Sequence, residues 1–263
     1  MASILVLWDV DYTLVDANGA GRRLYQLAFA DLYGTELPAA AEQANMAGRT
    51  DRAIAIDVLA LAGIPDPRAE VSRFEAALTR LAPEVAHLVA DHGTALPGAR
   101  EALAALAATT GPMTAGPMTT GPMITGPAAT TGPAAAGGLA ARQSVLTGNI
   151  RALAEAKLAP LGLTCYLDLE IGAYGNEHEI RSELVHLARA RAAAADGTDF
   201  GGRATVLIGD TPLDVAAALA TGARAIGVAT GMFTAGQLAE AGADVVLPDL
   251  TDTGRLLAAL AGD

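Results

Sequence analysis

Ile4-Leu5-Val6-Leu7-Trp8-Asp9-Val10-Asp11-Tyr12-Thr13 decides the reading: five apolar residues in a row, then two aspartates one residue apart. An unbroken apolar run of this length marks a strand covered on both faces, as in a parallel sheet between helices. In such sheets ligands bind beyond the carboxyl ends of the strands, which is where Asp9 and Asp11 stand. Residues two apart on extended backbone project to the same side, and close carboxylates repel unless a cation lies between them. The pair therefore asks for a hard divalent cation with oxygen ligands, Mg²⁺ being the usual one where phosphate is handled. Taken alone, it is equally an acidic turn in solvent.

Outward from this stretch, short strand-like runs recur at 144–146, 166–171, 205–208, 225–228 and 245–247. Ala/Leu-rich helical patterns separate them, at 150–161, 180–195 and 213–221. Alternating strands and helices predict an α/β fold with a Rossmann-like parallel sheet. Residues 17–95 break the rhythm, with helical patterns at 21–33, 52–62 and 67–90 and no convincing strand. They predict an α-helical cap inserted into a core made of 1–16 and 96–263. Within that core, residues 109–138 carry no charge and repeat Gly-Pro at 111, 116, 121, 126 and 132. Collagen needs glycine at every third position, so this segment reads as a low-complexity, partly extended insertion.

Composition narrows the function. The 263 residues hold 17 Lys+Arg against 29 Asp+Glu, a net charge of −12. Phosphate backbones and anionic headgroups would repel such a chain, so neither nucleic acid nor membrane is the expected partner. A single cysteine, Cys165, makes neither an internal disulfide nor a cysteine metal site. The first apolar run lacks a basic lead and meets Asp9 too soon for a secretion signal, and the expected location is the cytoplasm.

Two further clusters stand at strand ends. In Val206-Leu207-Ile208-Gly209-Asp210-Thr211-Pro212-Leu213-Asp214, Thr211 and Pro212 read as the N-cap and first position of a helix. Asp210 and Asp214 can meet across that turn and join the same cation, although Asp214 also suits ordinary helix-start electrostatics. Gly209 looks like room for a ligand beside the backbone. Leu146-Thr147-Gly148-Asn149 offers a hydroxyl, a glycine N–H and a helix start, the makings of an anion site or of a plain turn. A cation site beside an anion site is a phosphate-handling centre.

In this order and spacing, Asp9–Asp16, Leu146–Asn149 and Gly209–Asp214 resemble the haloacid dehalogenase-like hydrolase superfamily, in its phosphoglycolate phosphatase and β-phosphoglucomutase branch. The resemblance covers the chain apart from the Gly-Pro insertion, and implies a sheet with the first strand central. It implies Asp9 as nucleophile, forming an aspartyl-phosphate, and Asp11 as the acid and base serving leaving group and water. It implies Mg²⁺ held by Asp9, the Asp11 backbone carbonyl and Asp210, with Asp214 in support. Thr147, Gly148 and Asn149 would bind the phosphoryl oxygens, and Met46-Ala47-Gly48-Arg49-Thr50-Asp51 resembles the cap segment facing substrate, with Arg49 and Thr50 as contacts. The family also places a cation beside the phosphoryl group. Arg181, near a helix start 29 residues before Asp210, fits better than Lys157, which should lie about 12 Å along its helix and cover the helix flank.

Departures from the family pattern refine the expectation. Asp11 argues against dehalogenation, and the absence of lysine from 17–95 argues against phosphonate cleavage. Asp16-Ala17-Asn18-Gly19 lacks the histidine of the phosphomutases, and Tyr12 stands where glycine is common. The expected activity is Mg²⁺-dependent hydrolysis of a small phosphorylated metabolite. A sugar phosphomutase and a non-catalytic phosphate sensor are the alternatives; oligomeric state is not legible.

The insertion contains none of these residues. Joining Ala108 to Leu139 through a short Gly/Ser linker should leave phosphate release unchanged, because loop length enters stability only as about (3/2)RT ln n. A folded deletion variant without activity would place the segment in the site.

Overall fold

The computed structural model describes residues 3–109 and 140–262. The Gly-Pro stretch expected to be an insertion lies, from residue 110 onward, outside the described residues. The chain runs β1 (Ser3–Trp8), β2 (Val15–Asp16), α1 (Ala20–Tyr33), α2 (Ala39–Glu42), α3 (Asp51–Leu61), α4 (Pro67–His92), β3 (Thr94–Ala95) and α5 (Ala99–Thr109). It continues through β4 (Ala140–Val145), α6 (Arg151–Leu158), α7 (Arg181–Asp196), β5 (Thr205–Gly209), α8 (Pro212–Ala220), β6 (Arg224–Val228), α9 (Ala235–Glu240), β7 (Val245–Leu247) and α10 (Thr253–Ala261).

Five strands form a parallel sheet in the order β4-β1-β5-β6-β7. β1 is interior, as expected, although β5 is the middle strand. Its alternation explains the unbroken apolar run: Ile4, Val6 and Trp8 enter one core and Leu5 and Leu7 the other. Trp8 is fully buried and its Nε1 donates to Gln143 Oε1 at 3.2 Å. Register then does the positioning. Trp8 lies opposite Val145 on one side and Ile208 on the other, so Asp9, Thr147 and Asp210 leave the sheet at one edge.

The helical block between β2 and β3 packs α1 and α3 on the long α4, with Tyr25 and Phe74 rings 5.5 Å apart at its centre. α4 is capped by Asp66, whose side chain accepts from Ala69 N. Residues 15–16 and 94–95 pair as an antiparallel ribbon where the chain leaves and re-enters the core, a feature the sequence reading missed. Among the described residues no helix is long and apolar enough to cross a membrane.

One expected strand does not form. Residues 166–171 keep an alternating pattern, with Leu167 and Ile171 buried, but follow a 3-10 turn at Thr164–Tyr166. Asp168 bends the chain there: its side chain accepts from Glu170 N, and its carbonyl accepts from Ser144 Oγ at 2.5 Å. The segment touches the sheet edge through Asp168 N, which donates to the Gln143 carbonyl at 3.0 Å, and the isolated bridge of Leu146 with Ala173 comes two residues after it.

Where the chain re-enters the core, Gly98 has φ +78°, and a Cβ there would lie 2.1 Å from the Leu250 carbonyl carbon. Gly98→Ala is expected to cost on the order of 2 kcal/mol or more, read as a lower urea midpoint. An unchanged midpoint would show that this junction yields freely.

Candidate active site

Asp9 follows β1 directly and is buried beneath the first residue of α7, Arg181. Arg181 Nη2 lies 2.7 Å from Asp9 Oδ1 and 2.6 Å from Asp214 Oδ1, and also donates to the Leu146 carbonyl at 3.3 Å. Its Nη1 donates to the Gly48 carbonyl of the helical block at 3.2 Å. Asp9 Oδ2 accepts no hydrogen bond from a described residue.

Asp214 does two jobs. It is the third residue of α8, and its Oδ2 accepts from Thr211 N and Thr211 Oγ1 while its own N–H donates to Thr211 Oγ1. This reciprocal cap holds the carboxylate against Arg181. Gly209 serves that arrangement rather than ligand access, since a Cβ there would lie 2.2 Å from Asp214 Cγ. Asp210 completes the group, packed so closely under Gly231 that a Cβ on the glycine would lie 1.9 Å from Asp210 Oδ2.

Asp9, Asp210 and Asp214 thus place one oxygen each within 4.8 Å of one another, with one guanidinium among them. Burial pushes Asp9 up to about 7; Arg181 opposes that shift, while Asp214 and Asp11 add to it. Burial, with Asp9 and Asp214 alongside, pushes Asp210 up to about 9. Burial works against the charge of Arg181 too, but Asp214 and Asp9 outweigh it and hold the guanidinium protonated. The site is short of positive charge, and its donors are all hard oxygens.

Asp11 does not join this group through its carboxylate. Lys157 Nζ donates to both Asp11 oxygens at 2.7 Å and to Asn149 Oδ1 at 2.7 Å. Asn149 Nδ2 in turn donates to Asp11 Oδ2 at 2.8 Å and Thr147 Oγ1 at 2.8 Å. Lys157 is 3% exposed, so the flank placement expected for it is not what the structure has. Its side chain leans back along a helix that starts only at Arg151, and so reaches the site. The Thr147 hydroxyl and the Gly148 N–H donate to no described residue and face the same cavity.

That cavity, of about 660 Å³, is bounded on its far side by Gly21, Arg22, Gln43, Asn45 and Arg49 of the helical block. Of the two expected contacts, Arg49 lines this cavity and Thr50 does not. The Arg49 guanidinium is held by Asp57 at 2.7 Å and by the Asn45 and Ala53 carbonyls. Thr50 is the buried N-cap of α3, accepting from Ala53 N and donating to the Glu179 carbonyl at 3.0 Å. Asp51, unassigned from sequence, lines the cavity instead. Its Oδ2 accepts from Ile150 N at 2.7 Å, its Oδ1 accepts from Tyr25 Oη at 2.8 Å, and its own N–H donates to the Gly148 carbonyl at 2.6 Å. Burial raises the Asp51 pKa despite the Ile150 and Tyr25 donors. Only glycine admits this approach: a Cβ on Gly148 would lie 1.9 Å from the Arg49 carbonyl oxygen.

A HAD-hydrolase-like family model matches residues 182–253. No curated protein sequence matches the chain. Solved structures match along nearly all of it. A protein from Clostridium acetobutylicum described as a phosphatase aligns over 97% of this chain and 98% of its own, at TM-score 0.64 and 14% identity. One from Lactobacillus plantarum described as a phosphoglycolate phosphatase aligns over 97% and 100%, at 0.59 and 15%. One from Thermotoga maritima described as a β-phosphoglucomutase aligns over 98% and 99%, at 0.55 and 17%. These likenesses carry the fold, and the family match agrees with the resemblance drawn from the aspartate motifs.

The charge shortage has a measurable sign. In metal-free protein Asp9 and Asp210 keep their protons well above 3.8, where the unfolded chain has released them. Stability is then lost as pH rises from about 4 toward 9. Thermal unfolding in EDTA should show a midpoint falling across that window, with Mg²⁺ raising it more at high pH than at low. A Mg²⁺ increment that shrinks as pH rises would show that these carboxylates do not hold the ion.

Proposed function

We propose that this haloacid dehalogenase-like hydrolase is a Mg²⁺-dependent phosphatase acting on a small phosphate monoester, with Asp9 as nucleophile and Asp11 as acid and base. One observation carries the reading. A buried carboxylate with one unengaged oxygen faces a cavity that also holds two unused donors, Thr147 Oγ1 and Gly148 N–H.

The donor set fits the ion. Asp9 and Asp210 would hold Mg²⁺, with Asp214 kept behind them by Thr211 and Arg181; bound there, it offsets the repulsion between carboxylate and phosphate. The protein groups then divide the chemistry. Asp9 Oδ2 attacks phosphorus and the ester P–O bond breaks, leaving an aspartyl-phosphate. Asp11 gives its proton to the departing oxygen, then takes one from the water that attacks the phosphorus and frees Asp9. Arg181, Thr147 and the Gly148 N–H are the donors for the phosphoryl oxygens. The helical block acts as a cap, excluding bulk water and shaping the space for the alcohol portion. Cys165 is an exposed free thiol, which suits a reducing cytoplasm and a soluble metabolite as substrate.

A panel of small monoesters, assayed for inorganic phosphate with and without Mg²⁺, tests this. Release should need the metal, and Asp9→Asn should lower it by roughly 10³ or more in a folded protein. Asp210→Asn should raise the Mg²⁺ concentration for half-maximal rate. Phosphate release that survives Asp9→Asn overturns the covalent mechanism. Phosphate moved between positions of a sugar, with no net release, makes the protein a mutase.

A further inference from the structure

Lys157 is the only lysine among the 17 Lys+Arg residues of the chain. The others of that set are all arginines, including the one beside Asp9. The Lys157 ammonium has three N–H donors and meets three acceptors, both oxygens of Asp11 and Asn149 Oδ1, each at 2.7 Å. The ammonium sits against both oxygens of one carboxylate and also donates to Asn149, so a single buried side chain ties Asp11 to the start of α6. The Asp11 side chain is 36% exposed, enough to change rotamer in solvent if nothing held it. From above, Gly21 of α1 leaves space for the lysine: a Cβ at that position would lie 3.3 Å from Nζ.

We propose that Lys157, with Asn149, is a positioning residue for Asp11, fixing its carboxylate so that one oxygen faces the departing ester oxygen. It acts through Asp11 and not on the transferring phosphoryl group, which Arg181 serves. The inference rests on the phosphatase reading and adds a second cation with a separate task.

The two tasks separate by leaving group. An alkyl phosphate needs a proton on its departing oxygen, and a positioned acid typically contributes about 10²–10⁴ in rate. A p-nitrophenyl ester leaves as a stable phenolate and needs little help. Lys157→Met keeps the buried methylene stem and removes the donors. It should lower kcat for glycerol phosphate relative to kcat for p-nitrophenyl phosphate at least roughly tenfold. A merely structural lysine would lower both alike, and an unchanged ratio overturns the proposal.

Should that variant fail to fold, reductive methylation of the wild-type protein serves, because its amines are Lys157 and the chain terminus. Dimethylation at Lys157, verified by peptide mapping, keeps the charge and leaves one donor for three acceptors. The same fall in ratio is expected, and equal rates for both esters relative to unmodified protein would refute the assignment. A wild-type protein that releases phosphate from no ester of the panel overturns the phosphatase reading and this inference with it. A wild type active on both, whose ratio survives loss of the Lys157 donors, overturns this inference alone.

Discussion

Three buried carboxylates share one guanidinium at the edge of the sheet, and the rest of the structure is arranged around that imbalance. Burying a charge without a partner is expensive, so a fold does not gather three aspartates unless something gathers them by geometry. Parallel register does so here. β1 and β5 end together, which puts Asp9 and Asp210 side by side whatever their mutual repulsion. The cap at the start of α8 then adds Asp214, whose oxygens are fully committed to Thr211 and Arg181. What remains is one unengaged oxygen of Asp9 and an Asp210 carboxylate that accepts from the Thr13 hydroxyl at 3.5 Å and that burial pushes up to about 9. A hard cation relieves both.

The site also separates its two cations. Arg181 binds Asp9 and Asp214. Lys157 binds Asp11 and Asn149. The division follows from where their helices start. α7 delivers Arg181 as its first residue, already at the sheet edge. α6 delivers Lys157 from its seventh position, and only a long side chain directed toward the helix start covers the distance.

Local features of the sequence foretold the sheet and the helical block, and put Asp9, Thr147 and Asp210 at strand ends that the register brings together. Apolar runs ending in Asp9 and Gly209-Asp210 are legible because burial on both faces leaves no polar interruption until the strand ends. Thr211-Pro212 announces its helix because capping is a local requirement. What escaped depends on partners distant in the chain. Residues 166–171 alternate like a strand, yet Asp168 and Ser144 turn the backbone away from a ladder. Helical rise counted from Asn149 overstates the distance to Lys157, because α6 begins only at Arg151 and the side chain is long and directed toward that start. Gly209 was read as room for a ligand when it is room for Asp214. Thr50 caps its helix and Arg49 pairs with Asp57 while still lining the cavity, partnerships that no local pattern announces. Asp51 carried a signal only as an acid at a helix start, and nothing local says that its acceptors serve a different helix.

That different helix is α6, and it joins the two layers of the protein. The first N–H groups of a helix lack partners within it, and here Ile150 N finds one in Asp51 of the helical block. α4 packs along α6, and Gly21 of α1 leaves the space into which Lys157 extends. Three helices of the block therefore converge on eight residues of the core, the same eight that carry the lysine on Asp11. Ile150 N, just before α6, takes its partner from α3, and Asn149, one residue earlier, anchors the hydrogen bonds from Lys157 to Thr147. Placement of the helical block and placement of Asp11 are thus one packing problem. A side chain introduced at Gly21 or Gly148 would disturb both through contacts of 3.3 Å and 1.9 Å without touching an aspartate.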